Sequence, residues 1–115
     1  MSDTITTATS YYQAFNKKDI VEIEKYLHQN VLFITPLGTV QGKENLVETI
    51  KQFFNFFNAL TIRTVLGSEN QAMVAYDVEF PEPIGMVRSA ALMDFKEGLI
   101  ARIELFYDAR SFPKR

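Results

Sequence analysis

Apolar residues recur at three- and four-residue steps near the start of the chain, where Ile5, Ala8, Tyr11, Tyr12 and Phe15 fall on one helical face. The polar stretch Asn16-Lys17-Lys18 ends that helix. Asp19 followed by Glu22 is a capping arrangement in which a carboxylate takes orphan backbone N–H groups. It predicts a short second helix carrying Ile20, Ile23, Tyr26 and Leu27. The β-branched and aromatic run Val31-Leu32-Phe33-Ile34-Thr35 is too short for an independent helix and stops at Pro36 and Gly38, as a strand does. Beyond Gly42, helical spacing returns with an aromatic face made of Leu46, Ile50, Phe53, Phe54 and Phe57. From Leu60 onward the period becomes two, and residues 61–67, 71–80, 86–95 and 99–107 read as four strands. The linkers between them, Ser68-Glu69-Asn70, Pro81-Glu82-Pro83-Ile84-Gly85 and Lys96-Glu97-Gly98, are hairpin-sized, so an antiparallel meander is expected.

The order ααβαββββ is that of an α+β domain, with three N-terminal helices packed on one face of a curved antiparallel sheet, and one domain over residues 1–115 is expected. Strand parity divides the residues between faces. In the second strand of the meander, Val74, Tyr76, Val78 and Phe80 should point inward and Met73, Ala75, Asp77 and Glu79 outward. In the last strand Ile103, Leu105 and Tyr107 should share the inner face, with Arg102, Glu104 and Phe106 outside. Asp77, Glu79, Arg88, Asp94, Arg102 and Glu104 then alternate in sign on the outer face, where solvent or a partner's matching face meets them.

Composition narrows the function classes. Ten Phe and five Tyr with no Trp make an aromatic interior, and burying one such side chain gains roughly 1.5–3 kcal/mol. Twelve Lys and Arg against fourteen Asp and Glu leave a net charge of −2 and no basic stripe, so nucleic acid is not an expected partner. Without cysteine there is no disulfide, thiolate nucleophile or thiolate metal site. No apolar run reaches the ~18 residues of a spanning helix, and the opening MSDTITTATS lacks the features of a signal peptide, so no membrane association and a cytoplasmic location are expected. Glycine-rich phosphate loops, His-Glu metal motifs and serine nucleophile elbows are absent from the sequence, and no cofactor is expected.

Three stretches carry a family resemblance. They are Tyr11 to Asp19 (YYQAFNKKD), Thr35-Pro36-Leu37-Gly38 with Gln41-Gly42-Lys43-Glu44, and the closing strand up to Asp108. In this order and spacing the chain resembles the nuclear transport factor 2-like superfamily, the cystatin-like cone fold of ketosteroid isomerase, the SnoaL-like polyketide cyclases and limonene epoxide hydrolase. The resemblance implies a ligand held in the cone between helices and sheet. It also implies a homodimer, here through the outer sheet face that should carry Phe106 and Met73. Tyr11 matches the tyrosine that the isomerase uses as an oxyanion donor. Thr35 stands where that enzyme has its proton-transferring aspartate, Ala91 where it has a second, protonated one, and Leu105 where the cyclases carry an acid. A threonine hydroxyl is a very poor base and alanine donates nothing, so steroid isomerisation is not expected. The Asp-Arg-Asp network of the epoxide hydrolase cannot be placed either.

Each polar candidate has a structural and a functional reading. Tyr11 is a core tyrosine with a wetted hydroxyl, or a ligand donor. Thr35 is a strand-end turn residue, or a ligand contact. Tyr76 and Tyr107 are core aromatics, or pocket hydroxyls. His28, the single histidine, is read as a surface or helix-capping residue, since a lone imidazole makes neither a metal site nor a triad. Asp108 pairs locally with Arg110 or stands as an acid at the cone mouth.

The leading expectation is a domain that binds a small apolar or aromatic molecule in an aromatic-lined cone. Tyr11, Phe15, Phe33, Thr35, Phe54 and Phe57 are its expected lining from the first half of the chain, and Tyr76, Val78, Met93, Leu105 and Tyr107 from the second. Two alternatives stay open: an isomerase, cyclase or hydratase with a non-standard acid or base, and a dimerising module with a filled cone.

Overall fold

The computed structural model describes residues 3–112. Helix α1 (Asp3–Lys17) is followed by α2 (Ile20–Glu24), strands β1 (Leu27–Thr35) and β2 (Gly38–Gln41), and helix α3 (Lys43–Phe53). Strands β3 (Ala59–Gly67), β4 (Gln71–Glu79), β5 (Met86–Lys96) and β6 (Leu99–Tyr107) complete the sheet, and a 3₁₀ turn over Ala109–Ser111 follows. The six strands lie in the order β2-β1-β6-β5-β4-β3.

The meander of β3 to β6 is antiparallel throughout, as its short linkers predict. Three features differ from expectation. Strand β1 joins the last strand in parallel, pairing Phe33 with Ile103, which makes the sheet mixed rather than antiparallel. It also reaches back to Leu27, so the second helix ends a turn earlier than its apolar spacing suggests. The register breaks between Leu27 and Leu32, where a bulge interrupts the alternation that would have marked a strand. Residues 38–41, to which the sequence pattern assigns no element, form an edge strand against β1 too short to display a period of its own.

Local chemistry sets the helix positions. Asp19 accepts a hydrogen bond from the Glu22 backbone N–H at 3.2 Å and caps α2 as its sequence implies. The Asn16 side chain accepts from the Leu60 N–H at 3.0 Å, fixing the C-terminal end of α1 to the start of β3. At the other end of α1, Thr4 donates to the Ser68 carbonyl at 2.7 Å. Gly67 allows this approach, because a Cβ there would lie 2.7 Å from Ile5 Cγ1 and 2.8 Å from Thr4 Oγ1. Ile5, expected on the buried face, is instead partly exposed at this entrance to the helix.

The core lies between the helices and the concave sheet face. Ala8, Tyr11, Tyr12 and Phe15 from α1 and Leu46, Val47 and Ile50 from α3 are buried against inner-face residues of every meander strand. Val74, Tyr76 and Val78 of β4 are buried, as is Phe80 just beyond it, while Met73 and Glu79 are exposed, so the predicted parity holds. Phe53 and Phe57 stack at 4.7 Å although α3 ends at Phe53, which keeps Phe57 buried outside the helix.

Candidate functional site

The cross-strand register assembles the inner face in rows. Phe33 lies beside Ile103, then Met93 and Ala72, and the next row runs Leu105, Ala91, Val74. A third row runs Tyr107, Ser89, Tyr76 and Ile62, and a fourth joins Val87 and Val78. The third row carries the hydroxyls. Ser89 shares the parity of Val87, Ala91 and Met93, a signal sufficient to place it inside, yet a serine in an apolar strand attracts no notice in sequence.

Above these rows the aromatic side chains form a continuous series. Tyr11 packs against Tyr12 and Phe15 with centroids 5.0 and 4.9 Å away, and Tyr12 lies 4.5 Å from Tyr76. Phe15 meets Phe53 and Phe54 near α3's C-terminal end. Phe53 turns its edge to Phe80, Phe80 to Phe112 at 5.2 Å, and Phe112 to Tyr107 at 5.5 Å. The series ends where β1, β4 and β6 finish and β5 begins. Tyr12, Phe53, Phe80 and Phe112 are thus additions to the residues expected to line the cone. Phe112 in particular follows the last periodic segment and offers no pattern to read.

Of the expected lining, Tyr11, Phe15, Phe57, Tyr76, Val78 and Met93 are buried, while Phe33, Thr35, Phe54, Leu105 and Tyr107 are half-buried. Burial pushes the Tyr11 and Tyr12 phenols well above their ordinary ionisation range, with the neighbouring Tyr76 adding to the effect. Tyr76 itself is pushed up to about 12, chiefly by burial, against a hydrogen bond from Tyr12 that lowers it. Tyr107 is raised by burial as well, with the Thr35 hydroxyl beside it working the other way. All these phenols are neutral donors near neutral pH.

Thr35 also ties its own turn, donating to the Gly38 carbonyl at 3.0 Å and accepting from the Leu37 and Gly38 N–H groups at 3.1 Å. Ala91 is fully buried and brings no polar atom. Asp108 is not in the cone. It is exposed, its carboxylate holding Arg110 through contacts of 2.9, 3.0 and 2.6 Å, and that guanidinium holds its pKa down to about 2. His28 is neither a helix cap nor fully at the surface, because β1 begins before it. Its Nδ1 accepts from the Asn30 N–H at 3.0 Å and its Nε2 lies 3.5 Å from Glu97.

Among the described residues no Asp or Glu is buried, and no group of three or more metal-ligating side chains comes together. The outer-face charges meet one another or polar neighbours instead: Asp77 lies 3.7 Å from Arg63, Arg102 lies 3.5 Å from Glu104, and Asp94 accepts from the Gln71 amide at 2.7 Å. Two shallow surface clefts lie at the ends of the sheet. One, of about 1060 Å³, is an open surface between the tips Ser68-Glu69-Asn70-Gln71 and Asp94-Phe95-Lys96-Glu97. The other, of about 440 Å³, is lined by Met86, Val87, Arg88 and Asp108. No helix among the described residues is long and apolar enough to cross a membrane.

Three helices on a curved, open mixed sheet, with apolar rows and a few hydroxyls between the layers, define a cone-shaped α+β domain of the nuclear transport factor 2-like class. The chain belongs to the SnoaL-like domain family, whose model matches residues 8–103. No curated protein sequence matches it. Solved structures superpose closely. An NTF2-like protein from Cytophaga hutchinsonii is 18% identical with a TM-score of 0.84, over 96% of this chain and 94% of that one. TerC, co-crystallised with polyporic acid, is 18% identical with a TM-score of 0.82, over 96% and 95%. A structure described as a putative ketosteroid isomerase from Kribbella flavida is 17% identical with a TM-score of 0.79, over 100% and 93%. At such identities the likeness carries the fold alone.

Proposed function

We propose that this SnoaL-like domain binds a small, neutral aromatic or otherwise apolar molecule at the end of the cone where Phe80, Tyr107 and Thr35 meet. The observation that supports this reading is the row of hydroxyls of Tyr12, Tyr76 and Tyr107, set among aromatic rings, with no Asp or Glu buried among the described residues. Such a row can orient a carbonyl or hydroxyl group. Among the described residues no buried carboxylate lies beside it to take a proton, so binding is favoured over isomerase, cyclase or hydratase chemistry. TerC, which shares the fold, was co-crystallised with polyporic acid, in keeping with a small-molecule ligand here.

The test compares 2-naphthol with naphthalene by calorimetry on wild type and Tyr107→Phe. If Tyr107 donates to ligand, its loss weakens naphthol binding by roughly 0.5–1.5 kcal/mol and leaves naphthalene unaffected. A second reading, a dimerising module with a filled cone, is favoured by ring centroids only 4.5–6.2 Å apart throughout the series. Absence of saturable binding of either probe to any form of the protein would select it.

A homodimer through the outer sheet face belongs to both readings. By register Leu66, Met73 and Leu92 lie side by side there, as do Ala75, Ala90 and Phe106, with Met73 38% and Phe106 46% exposed. Cross-strand charges border this apolar strip and would fix its register on a second copy.

A further inference from the structure

We infer that residues 108–112 are a lid on the cone, with Phe112 as its internal occupant, a ring that an incoming neutral aromatic ligand replaces. The inference rests on the binding reading above and adds what stands in the ligand's way. Phe112 contacts the cone through two edge-on ring pairs, with Phe80 at 5.2 Å and Tyr107 at 5.5 Å. Tyr107 is the last inward-facing ring of β6 and Phe80 lies just beyond the end of β4, so Phe112 sits on the end of the aromatic series rather than inside it. A planar ligand ring can make the same two contacts.

Apart from the packing of the Phe112 ring, the described contacts of the segment that carries it are local hydrogen bonds. Asp108 accepts from the Arg110 backbone N–H at 3.0 Å and clamps the Arg110 guanidinium, and the Phe112 N–H donates to the Ala109 carbonyl at 3.1 Å. The Asp108–Arg110 pair is well exposed, the Arg110 side chain 90% so, and salt screens such a pair readily. A lid made this way detaches at little cost to the core. The hinge also adjoins space: the 440 Å³ cleft beside Asp108 is bounded by Val87, whose side chain is buried in the row next to Tyr107. Movement of the turn joins that cleft to the aromatic series.

The test measures the dissociation constant of 2-naphthol by fluorescence for wild type, Phe112→Ala and Arg110→Ala. Removing the competing ring should tighten binding about threefold to tenfold, the worth of an aromatic pair, and Arg110→Ala should give a smaller gain by loosening the latch. Added sodium chloride should strengthen wild-type binding more than it strengthens Arg110→Ala, because only wild type has the latch to screen. Equal, measurable affinities in all three proteins would overturn the lid and leave the binding reading standing. Weaker binding by Phe112→Ala would also overturn it, making Phe112 a wall of the site. No binding by any of the three would sink both. If Phe112→Ala fails to fold, the exposed Arg110→Ala and the salt series decide the matter.

Discussion

The Tyr12 hydroxyl donates to that of Tyr76 at 3.5 Å while their rings lie 4.5 Å apart, so one pair of side chains joins α1 to β4 by both polar and apolar contact. The two residues are 64 positions apart in sequence. Because both are buried, the hydroxyls depend on each other and the rings on the surrounding core.

Tyr12→Phe and Tyr76→Phe should each cost about 0.5–1.5 kcal/mol, since either leaves a buried hydroxyl without this partner. The double variant should cost no more than the larger single one, because the stranded group is gone. Tyr76→Ala should cost about 3–5 kcal/mol through the lost ring. Urea unfolding of the four proteins checks this, and strictly additive Phe substitutions would show that the hydroxyls do not interact.

Tyr12 was legible on an apolar helical face and Tyr76 by strand parity, but their meeting was not, since periodicity assigns faces and not partners. The same limit explains β1, whose parallel pairing with β6 joins Phe33 to Ile103 across most of the chain with no connecting turn to announce it. Gly38–Gln41 was hidden by its brevity, and Phe112 because it belongs to no repeating pattern. What a local period or a cap dictates could be read, as with Asp19 on α2 and the β4 alternation. The candidate site depends on residues brought together by the long-range register: Thr35, Tyr76, Tyr107 and the inward Phe80 were legible singly, and their grouping with Tyr12 and Phe112 was not.

Alkaline titration should expose the buried phenols. All five tyrosines have pKa values raised above 10.0, mainly by burial for Tyr11, Tyr12, Tyr76 and Tyr107 and by the Glu22 hydrogen bond for Tyr26. Each then contributes stability that is complete below pH 10, the unfolded value, and is lost as pH rises through the folded one. The absorbance of phenolate should therefore rise late, with the less buried Tyr26 and Tyr107 first and the other three together with unfolding. A single step of five groups at pH 10 in folded protein would contradict the packing.

Assembly through the outer face should be visible in sedimentation velocity as a dimer at micromolar concentration, given that specific interfaces bury roughly 1,200–2,000 Å² in total. Phe106→Asp places a charge at the β6 end of the Ala75–Ala90–Phe106 row and should give monomer without unfolding the domain, because Phe106 faces away from the core. A wild-type protein that sediments only as monomer would remove the interface.

Steroid isomerisation offers the sharpest negative test, because the resemblance that suggests it also locates what is missing. The resemblance sets Thr35 at the position of the base, and in the structure its hydroxyl is occupied in its own turn with Leu37 and Gly38. The resemblance sets Ala91 at the position of the second donor, and Ala91 is fully buried between Val74 and Leu105 in the sheet. Purified protein should therefore leave a Δ5-3-ketosteroid unconverted above background, followed by the absorbance of the conjugated product. Thr35→Asp restores a carboxylate but not the donor, whose loss alone is typically worth about 2.7–4 kcal/mol of transition-state stabilisation, so it should not recover full activity. Ala91→Asp in turn places a carboxyl group in an apolar row with no hydrogen-bonding side chain beside it in register, which should raise its pKa and lower stability. Robust turnover by wild type would show that a base exists which neither Thr35 nor any buried carboxylate supplies, and the assignment of Tyr11, Tyr76 and Tyr107 to binding alone would fall with it.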